Sequence, residues 1–374
     1  MRLRNRTRRF VGKPVRTHDE LPVPLPFPDG WFYLGMSHEW KPGSVRTLTF
    51  AGEEVVVYRT RKGTLCATRP YCPHMGAHLG VGGSVEDEYL VCPFHRFGFT
   101  TDGECARTPY GSPPKARLDT LPVREISSMV WIWRHHNGEP PSWELPAMGI
   151  AGGHTPLSHS IELAGQTQDG TENGVDYGHI TELHRIGVQS AVAKFVPDSP
   201  FFDLNYQLFR DFPLLGTTKQ DFQMRAIGIA AYYGEIVLTR YGLRILTWSL
   251  CTPTEPGRFR FTMAHASSLD GPRWLPGPLR RLGARAVSRA ALWKSVKDTT
   301  DDLYIWNHRR FLHHPKLNQE DGPIGPFRLW ARQFYPPVAT DTDGKTAGDA
   351  PATTSKRIPA PPPRNTVPRV TTDT

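Results

Sequence analysis

Two short segments bring together side chains able to bind metal. Cys72-Pro73-His74 is followed, 17 residues later, by Cys92-Pro93-Phe94-His95. Each loop offers one thiolate and one imidazole. Four such donors suit either a tetrahedral zinc ion or a 2Fe–2S cluster, in which one iron takes both thiolates and the other both imidazoles. Zinc knuckles usually set cysteines together and histidines together, so one of each per loop favours the cluster. Prolines stiffen both loops. Gly76, Gly80, Gly82 and Gly83 let the backbone pass close, so that its N–H groups can donate to sulfur and raise the potential. His78 and Cys105 lie outside the pattern and read as a loop histidine and a packed or partly exposed thiol.

Residues 172–184, ENGVDYGHITELH, carry a second group. Two histidines on a polar helix are ordinarily surface residues, but the metal-binding loops upstream give His179 and His184 another reading. With one carboxylate they make a facial triad, which leaves iron positions open to dioxygen and substrate. Positions five apart on an ideal helix point about 140° away from each other. Both face one ion only if the helix widens into a π-turn or ends between them. Gly178 makes that irregularity cheaper. Asp176 stands three residues before His179, so its carboxylate can reach the ring's outer nitrogen. The third ligand must come from elsewhere. Asp302, in or opening the late helix, fits best, with Asp298 and Asp301 as competitors.

The elements that must position these groups fall into two domains, as 374 residues suggest. From Trp31 to Trp143 short apolar runs such as WFYLGMS, EVVVYR and MVWIWR alternate with turns, predicting an all-β domain over 29–145. A Pro/Gly-containing link leads to an α+β domain over 155–336. It has strand-like runs such as FDLNYQLF, RILTWSL and RFRFTMAHA, then a helix from Leu279 to Asn307. The expected architecture is an antiparallel sheet covered by helices. Ile227, Ile229, Ile236 and Leu238 could wall an apolar pocket, although alternation turns half of them away. The late helix is basic at Arg280, Arg281, Arg285, Arg289, Lys294 and Lys297, with Leu279, Leu282 and Trp293 opposite. It reads as a cover helix whose solvated side docks an acidic ferredoxin.

The net charge of +9 lies largely in a basic arm, residues 1–28, whose first 16 positions hold seven Arg or Lys and no acid. Residues 337–374 are rich in Thr, Pro, Ala and Asp and read as a disordered tail. Arg8-Arg9-Phe10 begins like a twin-arginine export signal, but no apolar stretch follows it. Five cysteines are not a secreted disulfide framework, so a reducing cytoplasm is expected. No run is long enough for a spanning helix, and no nucleic-acid partner is expected.

The flanking residues YCPHMGAHLGVGG and CPFH, with the C-x-H and C-x2-H spacing, resemble Rieske proteins. One departure is Arg96-Phe97, where many oxygenase members have Gly-Trp. From about Trp31 to Tyr335 the chain resembles the terminal oxygenase subunits of Rieske non-haem iron oxygenases. That resemblance implies a Rieske 2Fe–2S cluster on Cys72, His74, Cys92 and His95, and mononuclear Fe(II) on His179, His184 and Asp302. It implies that Asn173 and Asp176 belong to the site, Asp176 bridging His179 to the cluster histidine, here His95, of a neighbouring subunit in a homotrimer. Electrons would come from NAD(P)H through a reductase or ferredoxin. ENGVDYGH with Leu183-His184, and DGPIGPFRLWARQFY over 321–335, look like the cholesterol 7-desaturases of the Neverland type and the 3-ketosteroid 9α-hydroxylases. The activity so implied is hydroxylation or desaturation of a hydrophobic fused-ring substrate, a sterol or steroid. An oxygenase of aromatic or secondary-metabolite scaffolds, and a Rieske electron carrier without catalysis, are the alternatives.

Overall fold

The computed structural model describes residues 25–149, 154–212, 216–238, 241–271, 276–318 and 320–337. Most of the basic arm and all but the start of the tail expected from the sequence lie outside the described residues.

The first domain is all β, as its short alternating runs predict. Its strands are β1 (Gly30–Met36), β2 (Val45–Phe50), β3 (Glu53–Arg59), β4 (Leu65–Thr68), β5 (Ser84–Glu86), β6 (Tyr89–Val91), β7 (Gly98–Phe99), β8 (Cys105–Arg107), β9 (Thr120–Leu121), β10 (Val123–Ile126) and β11 (Met129–Arg134). They form three antiparallel sheets, in the orders β1-β11-β10, β2-β3-β4-β9 and β5-β6-β7-β8.

The second domain is one seven-stranded antiparallel sheet. Its strands are β12 (Leu157–Ala164), β13 (Gly187–Phe195), β14 (Phe201–Phe212), β15 (Gly216–Ile227), β16 (Ala231–Leu238), β17 (Leu243–Pro253) and β18 (Arg258–Leu269), in the order β12-β18-β17-β16-β15-β14-β13. Consecutive strands from β13 to β18 pair as hairpins, and β12 closes beside β18. The link from β12 to β13 must therefore run from one edge to the other. It carries α1 (Thr167–Glu172) and α2 (Tyr177–Glu182) across the sheet. α3 (Gly277–Trp306) leaves β18 and packs over β18 and β12, and α4 (Ile324–Ala331) packs against α1. The crossing link brings His179 to the end of α3 that holds Asp302.

Strand alternation divides the sheet's two faces. Leu246, Trp248, Leu250, Ala264 and Ala266 pack on Trp31, Tyr33, Met36, Trp131 and Trp133 of the first domain. Phe259, Phe261 and Met263 turn the other way, against Leu303 and Trp306 of α3. The same rule sorts the isoleucine wall expected from sequence. Ile227 joins the interdomain core, whereas Ile236 and Leu238 share a face with Tyr232, which bonds α1.

α3 departs from expectation in which side it buries. Ala284, Ser288, Thr299, Asp302, Leu303 and Trp306 face inward. Leu279, Leu282 and Trp293 are 50%, 66% and 63% exposed, so these three large apolar residues stand outside beside the arginines. Small and polar residues lie inward because the helix sits close on the sheet.

Candidate metal centres

The first centre is built from twin loops. The Cys72 N–H donates to the Ala77 carbonyl (2.9 Å), and the Gly76 N–H to the Cys72 carbonyl (2.9 Å). One loop later the Cys92 N–H donates to Phe97 (2.9 Å) and the Arg96 N–H to Cys92 (3.1 Å), so the same two turns recur. Each turn needs a residue of positive φ in the same place: Gly76 at 72° in the first loop, Arg96 at 59° in the second. Arg96 thus takes a left-handed conformation that glycine adopts freely, and its guanidinium is paired with Glu86.

Both cysteines are buried and both imidazoles reach outward. The His74 and His95 rings lie 4.7 Å apart, and His74 stacks on Phe97 at 4.3 Å and 13°. Burial pushes the Cys72 thiol up to about 11, against backbone N–H groups of His74 and Met75 that donate to its sulfur. The donors expected from flexible glycines thus come from the residues after Cys72. Among the described residues no three of the four ligands gather within 4.8 Å of one another, as ligands of one tetrahedral ion would. Paired thiols and paired imidazoles fit two irons. His78 uses both ring nitrogens, one with Glu54 (3.2 Å) and one accepting from the Gly80 N–H (3.1 Å). Cys105 is buried.

The second centre is assembled from distant segments. His179, His184 and Asp302 place one donor atom each within 4.8 Å of one another. His184 Nε2 and Asp302 Oδ2 are 3.3 Å apart, a spacing two ligands of one ion share, and the two imidazoles lie 5.1 Å apart. The problem of i and i+5 is solved in both ways foreseen. α2 ends at Glu182, and the His184 N–H reaches the His179 carbonyl (3.3 Å), a π-type closure. Asp302 is the one of the three candidate aspartates that joins the triad. Asp298 is paired with Lys294 instead.

Asp176 caps α2. Its carboxylate accepts from the His179 N–H (3.2 Å), and its backbone carbonyl accepts from His179 Nδ1 (2.6 Å). A carbonyl only accepts, so Nδ1 carries the proton and Nε2 is left with a lone pair able to bind a metal. The carboxylate itself lies 3.7 Å from Nδ1. Burial raises the Asp176 carboxyl, but the hydrogen bonds and charge of His179 outweigh it and hold it below the usual carboxylate range. For His184 burial lowers the pKa, and the Asp302 carboxylate more than offsets this. Asn173 caps the end of α1 through its backbone, and the structure gives its side chain no bond to the triad.

Sequence reasoning missed what anchors this link. Arg328 of α4 forks onto Glu172 (2.7 and 2.8 Å), and Arg309, just past α3, pairs with Asp169. Burial opposes the Arg309 charge, but Asp169, Glu172 and Asp176 around it hold its pKa above the ordinary value. The Tyr177 N–H donates to the Asp321 carbonyl (3.0 Å). At Gly322 (φ 94°) a Cβ would stand 2.2 Å from the Val175 carbonyl oxygen. The segment 321–335 therefore clamps the link that holds Asp176 and His179. Its trace in the sequence was two acids in the link, Asp169 and Glu172, and arginines following the Asp302 helix.

Residues 30–125 match the Rieske 2Fe–2S domain, and residues 132–335 match the 3-ketosteroid 9α-hydroxylase C-terminal domain. The chain is 32% identical to a cholesterol 7-desaturase (nvd 1) of Ciona intestinalis, over 88% of this chain and 72% of that protein. It is 27% identical to a probable 3-ketosteroid-9-alpha-monooxygenase oxygenase component of Rhodococcus rhodochrous, over 86% and 83%. The fold is similar to that of apo dicamba monooxygenase, with a TM-score of 0.59 at 16% identity, over 83% and 97% of the two chains. The chain belongs to the Rieske oxygenases, with a catalytic domain of the 3-ketosteroid 9α-hydroxylase type.

Proposed function

We propose that this oxygenase hydroxylates or desaturates a sterol or steroid, in the manner of the cholesterol 7-desaturases it resembles, and works as a homotrimer. The observation that carries the reading is the triad of His179, His184 and Asp302 on the helical face of a sheet whose catalytic domain is of the ketosteroid type. When bound, the two metal centres supply single-electron transfer and dioxygen activation, the chemistry that oxidises an unactivated C–H bond. The chain's residues supply the rest. Asp176 fixes the tautomer and orientation of His179, and the apolar residues of β18 and α3 keep the site dry.

The trimer is supported by where the two centres lie. The core around the cluster loops contains only residues of the first domain. The triad stands on the sheet face turned away from that domain, so the sheet separates a chain's own centres. Around the cluster imidazoles, Met75, Val81, Phe94 and Tyr110 are 56–71% exposed. Such an apolar rim suits a protein interface. In that arrangement Asp176 links His179 to a neighbour's His95. The exposed arginines of α3, Arg281 and Arg285, offer an acidic ferredoxin a docking face. We place the enzyme in the cytoplasm; among the described residues no helix is long and apolar enough to cross a membrane.

The test is turnover of a sterol panel with ferredoxin, reductase and NAD(P)H. A hydroxylated or newly unsaturated sterol is expected. Oxidation of aromatic scaffolds alone would favour the second reading.

A further inference from the structure

His265 sits in β18 on the face turned to α3. Its neighbours on that face define the surroundings. Met263 accepts from the Thr299 hydroxyl (3.2 Å), and Ser267 from the Ser288 hydroxyl (3.0 Å). His265 therefore lies under the stretch of α3 between Ser288 and Thr299. It is 5% exposed, and neither ring nitrogen has a hydrogen-bond partner in the protein. Its cross-strand neighbours are Thr247 and Leu157. Buried polar groups are nearly always partnered, and an orphaned one costs stability. Burial also pushes the imidazole down to about 4, so the ring is neutral at physiological pH, with one nitrogen donating and one accepting.

The surroundings are graded along α3. At one end is Asp302 of the triad. Next come Met263, with Leu292 and Val296 packed against its cluster. Then comes the His265 ring. Beyond it His154 Nε2 accepts from the Ser267 N–H (3.3 Å) and contacts the Ser288 hydroxyl (3.3 Å), so that end is polar and already satisfied. From Asp302 back to the middle of α3 above His265 is about eight or nine residues, or about 13 Å at 1.5 Å per residue. That is the scale of a rigid four-ring skeleton.

We propose that His265 is the positioning residue that hydrogen-bonds the single hydroxyl or ketone of a rigid apolar substrate, setting which carbon reaches the triad. The assignment rests on the steroid reading above. A neutral imidazole suits either oxygen group: it accepts from a hydroxyl or donates to a ketone. The side chains between His265 and the triad, Met263, Leu292 and Val296, are apolar, and one neutral imidazole at the end of such a row matches a molecule of the same polarity pattern.

Equilibrium dialysis of three ligands tests it: a saturated four-ring sterane, its 3-hydroxyl derivative and its 3-ketone. Each is measured on the metal-loaded wild type, His265→Leu and His265→Gln. The wild type should bind the two oxygenated ligands about tenfold more tightly than the hydrocarbon. His265→Leu should lose that preference without losing the hydrocarbon. His265→Gln, which keeps a donor and an acceptor, should regain part of it. In turnover His265→Leu should raise KM and spread the product over several ring carbons. Binding of all three alike by the wild type, or a preference that survives in His265→Leu, overturns the assignment and leaves the steroid reading standing. Failure of all three to bind overturns the steroid reading, and the assignment with it.

Discussion

The two metal centres are held by different means. The cluster loops lie within 24 consecutive residues and repeat one backbone pattern, so their shape is local: short turns, two prolines and one left-handed residue each. The triad joins residues separated by more than 100 positions, and its shape depends on contacts made far from it. Glu172 with Arg328, Asp169 with Arg309, and the close approach of Gly322 hold the link in place. The local centre should survive loss of those clamp contacts, and the assembled one should not.

The largest effect should come from ligand changes in either centre. His95→Ala should abolish the Rieske electron-paramagnetic signal, with iron falling from about three to about one per chain. Asp302→Ala should keep that signal and fall from about three to about two. Loss of both centres from either single change would break the comparison.

A clamp variant comes next. The Glu172–Arg328 pair is mostly buried, with side chains 8% and 18% exposed. Arg328→Met should destabilise the catalytic domain by about 3 kcal/mol, because it leaves a buried carboxylate without its partner. Calorimetry should show the loss, while the cluster's visible spectrum stays unchanged in the folded protein. Glu172→Leu added to it should recover much of the loss. An Arg328→Met protein of wild-type Tm would remove the clamp from the account.

Asp176→Asn should retain both metals and lower coupled turnover by about 10- to 100-fold. The carbonyl that orients His179 remains in this variant, so full activity would show that the carboxylate carries no role between centres. Arg96→Gly should have the smallest effect. It relieves a left-handed arginine and removes an exposed pair with Glu86, contributions of about 1 kcal/mol each and opposite in sign. Stability should move by less than about 1 kcal/mol. A large loss, read as a fall in Tm, would mean that the Glu86 pair holds the loop.

The same contrast explains what was legible in the sequence. The twin cluster loops could be read from spacing because local turns need only local residues. The two routes by which His179 and His184 could converge also followed from helix geometry, and both occur. The sequence preferred Asp302 but kept Asp298 and Asp301 open, since all three lie within five residues on one helix; the structure groups Asp302 with the two histidines. The buried side of α3 was misread for a physical reason. Periodicity of large apolar residues marks an amphipathic face only where the helix packs through them. This helix packs through Ala284, Ser288 and Thr299, and Leu279, Leu282 and Trp293 are left outside. The role of 321–335 was hidden because a clamp of arginines on buried acids leaves no periodic trace.

The claim that joins the two regions is that the cluster of one chain serves the triad of the next. Co-expressing His95→Ala chains with Asp302→Ala chains tests it most directly. Each variant alone should be inactive with sterol, ferredoxin and reductase. Randomly mixed rings should recover about a quarter of wild-type activity, because one interface in four pairs an intact cluster with an intact triad. Mixed oligomers as inactive as either parent would contradict the account and place electron transfer within a single chain.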